Sequence, residues 1–251
     1  MTYAWSRKDG KNVIIDGTYE EPTKVGQKFV GWYEDTEYTK EFVFDETALM
    51  SADIQVYAKW RDLEADLVDG YSINSTFRSL AGTTSSGYYD AKKETKIKAV
   101  KQAIEAPDLS AMTDSNIIST NESEEKVYAW WDSDSGTIYY YSKAPSIYLN
   151  TDCSMMMAGL AGLTDISGLS GFKADKVSNL YGAFKNCATL ADFSGVTDWN
   201  TASLTSLAGT FSGCTALTNA DAFANWDTKN VEDVYIFVNY KNWDGIFKGC
   251  T

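Results

Sequence analysis

The chain has 251 residues, 44% hydrophobic and 23% charged, which suits one large globular domain or two smaller ones. Its net charge of −13 divides evenly: 7 basic against 11 acidic side chains over residues 1–60, 9 against 14 over 61–150, and 6 against 10 over 151–251. No basic segment is available to neutralise phosphates, which argues against nucleic acid and anionic membranes as partners, and the lack of any histidine rules out Ser-His-Asp or Cys-His catalysis and histidine-ligated zinc.

Residues 1–60 read as strands and turns. Val13-Ile14-Ile15 runs into Asp16-Gly17, a hairpin-type turn signal. Phe29-Val30-Gly31-Trp32-Tyr33 and Phe42-Val43-Phe44 are further strand candidates. Ile54, Val56, Ala58 and Trp60 alternate with polar or amphipathic residues, the period of a half-buried strand. Gly26 to Asp35, Thr39-Lys40-Glu41-Phe42 and Val56-Tyr57-Ala58-Lys59-Trp60 together resemble the internalin-B-type, or Listeria–Bacteroides, repeat of bacterial surface proteins. The resemblance implies a compact β-grasp-like module serving as a spacer or presentation unit.

Residues 61–70 are polar and acidic and read as a linker. The pattern over 71–81 predicts a short amphipathic helix, ended by the loop Thr83-Thr84-Ser85-Ser86-Gly87. Weak alternation around Ile97 to Ile104 predicts a strand. Val127-Tyr128-Ala129-Trp130-Trp131 and Thr137-Ile138-Tyr139-Tyr140-Tyr141 flank a polar, Gly-containing loop and predict a hairpin; Ile147-Tyr148-Leu149 predicts another strand.

From residue 151 the chain repeats with a period of 27. Phe172, Trp199-Asn200-Thr201 and Trp226-Asp227-Thr228 share one slot, as do Phe184-x-x-Cys187-x-x-Leu190 and Phe211-x-x-Cys214-x-x-Leu217. Phe247-x-x-Cys250 returns 36 residues after Phe211, so an insertion lies before it. Such a period is the signature of repeats that bury their apolar faces only against neighbours. The spacing of Val177, Leu180 and Phe184 predicts a helical side to each repeat, and Leu190 and Phe193 an extended side.

This region, with its lead-in Tyr128 to Ser142, resembles the BspA-like leucine-rich-repeat surface proteins of bacteria. The combined expectation is an α+β chain: a β-grasp-like module over 1–60, a linker over 61–70, a β-rich cap over 71–150, and a leucine-rich-type solenoid over 151–251. Both resemblances imply an exported protein. With no secretory signal at Met1-Thr2-Tyr3-Ala4-Trp5 and an end in mid-repeat at Gly249-Cys250-Thr251, the sequence reads as an internal piece of a longer chain whose signal and anchor lie outside it.

The repeat slot shared by Cys187, Cys214 and Cys250 predicts a column of buried thiols rather than disulfides. Asp132-Ser133-Asp134-Ser135-Gly136 has some look of a calcium loop, but position 12 would be Lys143, so a hairpin turn is expected and no metal or cofactor is implied. Tyr235, Tyr240 and Trp243 lie in the insertion and are the candidate binding residues, because insertions in repeat arrays map to surface loops. The expected function is non-catalytic adhesion to an unidentified host or extracellular protein or glycan. A carbohydrate-active enzyme working through carboxylates and a passive cell-wall spacer are the alternatives.

Overall fold

The structure is a computed structural model that describes residues 2–4, 22–43, 55–83 and 93–232. It divides into two units, Met1–Leu63 and Glu64–Thr251.

In the first unit β2 (Gln27–Tyr33) pairs antiparallel with β3 (Gln55–Asp62), and β1 (Thr2–Ala4) takes the other edge of β3. The register slips between Phe29 and Gly31, so Val30 bulges outward and is 43% exposed. Residues three apart on a regular strand face opposite sides; the bulge turns Phe29 and Trp32 to the same side. There they meet Val56, Ala58 and Trp60 of β3, with Phe29 edge-on to Trp32 at 5.2 Å and to Trp60 at 5.6 Å. The predicted strand at Phe42-Val43 does not form: Glu41 makes one bridge to Tyr33, and Phe42 N–H donates to Trp32 O. Val13 to Gly17 and Phe44 lie outside the described residues.

The second unit opens with β4 (Glu64–Asp66), which pairs in parallel with β8 (Ser146–Tyr148); β9 (Phe172–Lys173) takes the other side of β8. Ala65 and Leu67 are fully buried, although they lie within the polar stretch 61–70. Helix α1 (Gly70–Leu80) follows, capped by Asp69, whose carboxylate accepts from Ser72 N–H at 2.9 Å. A third sheet has the order β5-β7-β6, from β5 (Ala99–Gln102), β6 (Tyr128–Asp132) and β7 (Thr137–Tyr141).

The period of 27 has a concrete structural form. Residues 153, 155, 157 and 159 donate their N–H groups to the carbonyls of 179, 181, 183 and 185. Residues 180, 182, 184 and 186 do the same toward 206, 208, 210 and 212. The N–H groups between them, such as those of Met156, Ala158, Ala183 and Lys185, turn back three residues within their own segment. This alternation needs a left-handed residue every fourth position, and Met155, Gly159, Gly182, Asn186, Gly209 and Gly213 all have positive φ. Asp or Asn side chains build the corners: Asp165, Asp192 and Asn219 each accept the N–H two residues on. Trp199 and Trp226 stack at 6.2 Å, and each indole N–H donates to a carbonyl 30 residues earlier, Leu169 and Val196. Phe184 and Phe211 stack at 5.8 Å with Phe193 edge-on to both.

The first segment has no earlier repeat to bond with, and α1 takes that place. Gly70 N–H donates to Asp152 O, Asn74 Nδ2 to Met156 O (3.2 Å) and Ala158 O (3.1 Å), and Arg78 Nη2 to Ala158 O (2.9 Å). Arg78 Nε donates to Asn74 Oδ1, holding both side chains in place at 3% and 6% exposure. Lys98, Val100 and Glu94 continue the same edge, bonding the backbone of Gly159, Gly162, Thr164 and Asp165.

These observations correct the expected α+β fold with a leucine-rich-type solenoid. The described repeats contain no α-helix, only short 3₁₀ turns and the two-residue β9, and no sheet runs through them. The stretch Val177 to Phe184, expected to be helical, is a run of tight turns, because left-handed Gly182 and outward-bonding N–H groups interrupt any i to i−4 ladder. The first unit shows three antiparallel strands and no helix among its described residues. The cap region 71–150 is built on α1 as much as on strands. The described residues are mostly β and irregular.

Two outcomes follow. Asn74→Ala takes the side-chain donor from Met156 O and the acceptor from Arg78 Nε in a buried site, while Ala158 O keeps Arg78 Nη2; it should cost the second unit about 1–3 kcal/mol, read as a lower midpoint in urea. Gly195→Ala puts a Cβ 2.1 Å from Ile166 O of the preceding segment. It should cost about 3 kcal/mol by the same measurement, whereas Gly31→Ala, whose Cβ meets nothing closer than 3.5 Å, should cost less.

Candidate interaction surface

The β6–β7 hairpin forms as its two aromatic runs predict, in full antiparallel register from Tyr128↔Tyr141 to Asp132↔Thr137. Its loop consumes the Asp132 carboxylate: Oδ1 accepts from Asp134 N–H at 3.1 Å and Oδ2 from Ser135 Oγ at 2.6 Å. The Ser135 hydroxyl leads the interactions that hold this carboxyl below its usual range. Gly136, with φ of 69°, closes the turn.

Alternation divides the sheet into two faces. Val100, Ile138, Tyr140 and Ala129 face inward and are fully buried. The opposite face carries Tyr128, Trp130, Tyr139, Tyr141 and Lys101, all half-buried. Register places Trp130 directly across from Tyr139 and Tyr139 beside Lys101. The two rings lie 5.7 Å apart and 23° from parallel. Lys101 Nζ sits 3.0 Å from Asp165 Oδ2, and that partner raises the ammonium pKa. Partial burial pushes the Asp165 carboxyl up, but hydrogen bonds from Ser167 and Lys101 bring it below its usual value. Asp165 also bridges Ala99 in parallel, so the sheet joins the corner of the first repeat.

At one end of the sheet lies an open, shallow cleft of about 440 Å³, lined by Lys96, Lys98, Trp131 and the hairpin loop 133–136 beside Ala81. Lys96 Nζ already donates to Ala81 O at 3.1 Å.

The buried ionisable groups belong to the scaffold. Burial pushes the Arg78 guanidinium pKa down, and the Glu94 carboxylate opposes that shift. Cys153, Cys187 and Cys214 are buried thiols donating to Asn150 O, Met157 O and Phe184 O. The predicted column of buried thiols is present for Cys187 and Cys214, with a hydrogen-bonding role its spacing did not announce; Cys250 lies outside the described residues. So do Tyr235, Tyr240 and Trp243, the binding residues predicted from sequence. The sequence resemblance assigns the hairpin only to a cap and does not single out its aromatic face. Its signal was present in the alternation of Tyr128, Trp130, Tyr139 and Tyr141.

Residues 7–59 match the Listeria-Bacteroides repeat domain. Residues 151–245 match a family described as a Mycoplasma protein of unknown function, DUF285. Leucine-rich repeats are not among these matches, and the pair is that of a bacterial surface-associated repeat protein. No curated protein and no solved structure matches the chain. Among the described residues no helix is long and apolar enough to cross a membrane.

Burial pushes the Cys153 thiol up to about 12 and the Cys187 thiol well above its ordinary 9. A group with a raised folded pKa stabilises fully below its unfolded value and loses that contribution as pH rises toward the folded one. Thermal stability should therefore hold to about pH 9 and fall above it, as the thiols ionise in the unfolded chain but stay protonated in the fold. Cys187→Ala should make the alkaline slope shallower in calorimetric scans across that range.

Proposed function

We propose that this chain is a non-catalytic interaction segment of a bacterial cell-surface protein, presenting the second unit to an extracellular or host protein or glycan. The observation that carries the reading is the row of half-exposed aromatic side chains on a sheet joined by hydrogen bonds to the repeats. Tyr and Trp fixed on strands present large amphipathic area with little entropy left to lose, the property of a binding surface.

Chemistry favours binding over catalysis. There is no histidine, the buried thiols are protonated donors to backbone carbonyls, and buried Arg78 holds a repeat edge together. The open cleft is lined by one carboxylate, Asp134, where glycoside hydrolysis needs two. The two family matches support a surface location.

An array of extracellular-matrix proteins and glycans probed with the purified chain tests this. Saturable binding to at least one of them, without release of reducing sugar from the glycans, is expected. A blank array would leave only the passive-spacer reading, and sugar release would restore the enzymatic one.

A further inference from the structure

The geometry points to a binding site for a neutral oligosaccharide on the outer face of the β5–β7–β6 sheet, along the row Trp130, Tyr139, Lys101 and Asp165. The inference rests on the interaction reading above and names the ligand class and the residues.

A pyranose ring has a face of C–H groups and an edge of hydroxyls. The C–H face stacks on an aromatic ring, and the hydroxyls need paired donors and acceptors. The row offers both in sequence. Trp130 and Tyr139 form a stacked pair on adjacent strands, 5.7 Å apart and 23° from parallel. Lys101 and Asp165 follow as an ammonium and a carboxylate 3.0 Å apart, each more than a third exposed, a donor and an acceptor side by side. With strands about 4.8 Å apart, Trp130 to Asp165 covers roughly 14 Å, the length of two or three linked pyranose rings.

Charge selects a neutral sugar. Lys101 is compensated by Asp165, Asp132 follows Trp130 on the same face, and the whole chain carries −13. An anionic sugar would meet like charge at Asp132 and no net positive charge at the Lys101–Asp165 pair. Topology disfavours a peptide. Strand addition needs an open sheet edge, and here β6 is bridged at Tyr128 by Ile117 and β5 at Ala99 by Asp165, which shortens both. The strands hold the rings in place before any ligand arrives, which limits the entropy lost on binding.

Saturation-transfer NMR and calorimetric titration of the whole chain with cellotriose, maltotriose, chitotriose and laminaritriose test the proposal, with sialyllactose as the anionic probe. At least one neutral trisaccharide should bind. Trp130→Ala and Tyr139→Ala should each weaken it at least tenfold, Trp130→Phe should retain more affinity than Trp130→Ala, and Lys101→Met should weaken it about threefold. Lys101 is half-exposed, so Lys101→Met should keep the wild-type melting temperature and give a readout even where the alanine variants fail to fold. Four silent neutral probes, equal affinity in a folded Trp130→Ala variant, or tighter binding of sialyllactose would each overturn the proposal. Capture of a matrix protein with no trisaccharide bound would overturn it too, while leaving the broader interaction reading in place.

Discussion

In the repeats every second backbone N–H leaves its own segment and donates to a carbonyl 26 residues further along the chain. The N–H groups between them close turns locally. Buried backbone groups left unpaired are costly, so this division of donors sets much else. It demands left-handed residues at four-residue intervals, and the chain supplies glycine at four of those positions, with Asn186 and Met155 at the others. It also locks the register at 27, because a shift of one residue would aim each outward N–H at a carbonyl already engaged in a turn.

Side chains then fall into columns. Phe184 stands over Phe211, Trp199 over Trp226, and the thiols of Cys187 and Cys214 each reach back 30 residues to a carbonyl. The same rule explains the polar interior at the start of the repeats. The carbonyls of the first segment require donors where no repeat precedes them. Asn74 and Arg78 provide these from a helix whose amphipathic pattern predicts only an apolar inner face. A buried guanidinium is tolerated because its hydrogen bonds and the nearby Glu94 charge offset desolvation.

The segment 94–102 extends this edge and links it to the aromatic sheet through Ala99 and Asp165. The outer row of that sheet is thus held in place by the hydrogen bonds that begin the repeats. A substitution at the cap reaches the candidate surface through backbone geometry, without touching any of its side chains.

Much of this was legible in the residues themselves. The period of 27, the buried Leu163, Leu190 and Leu217, the α1 helix, the β6–β7 hairpin and the alternation in β3 all follow from spacing, because burial on one face imposes a period on the sequence. Apolar spacing alone does not distinguish a helical repeat from a chain of turns, since three-and-four spacing buries one side of either. Only the tertiary structure decided between them, because the choice lies with backbone donors that pair across 26 residues and leave no mark in hydropathy. For the same reason the roles of Asn74, Arg78 and the thiols, and the alignment of Trp130 with Tyr139, Lys101 and Asp165, came from the fold: each depends on partners distant in sequence that meet only when the strands and repeats are assembled.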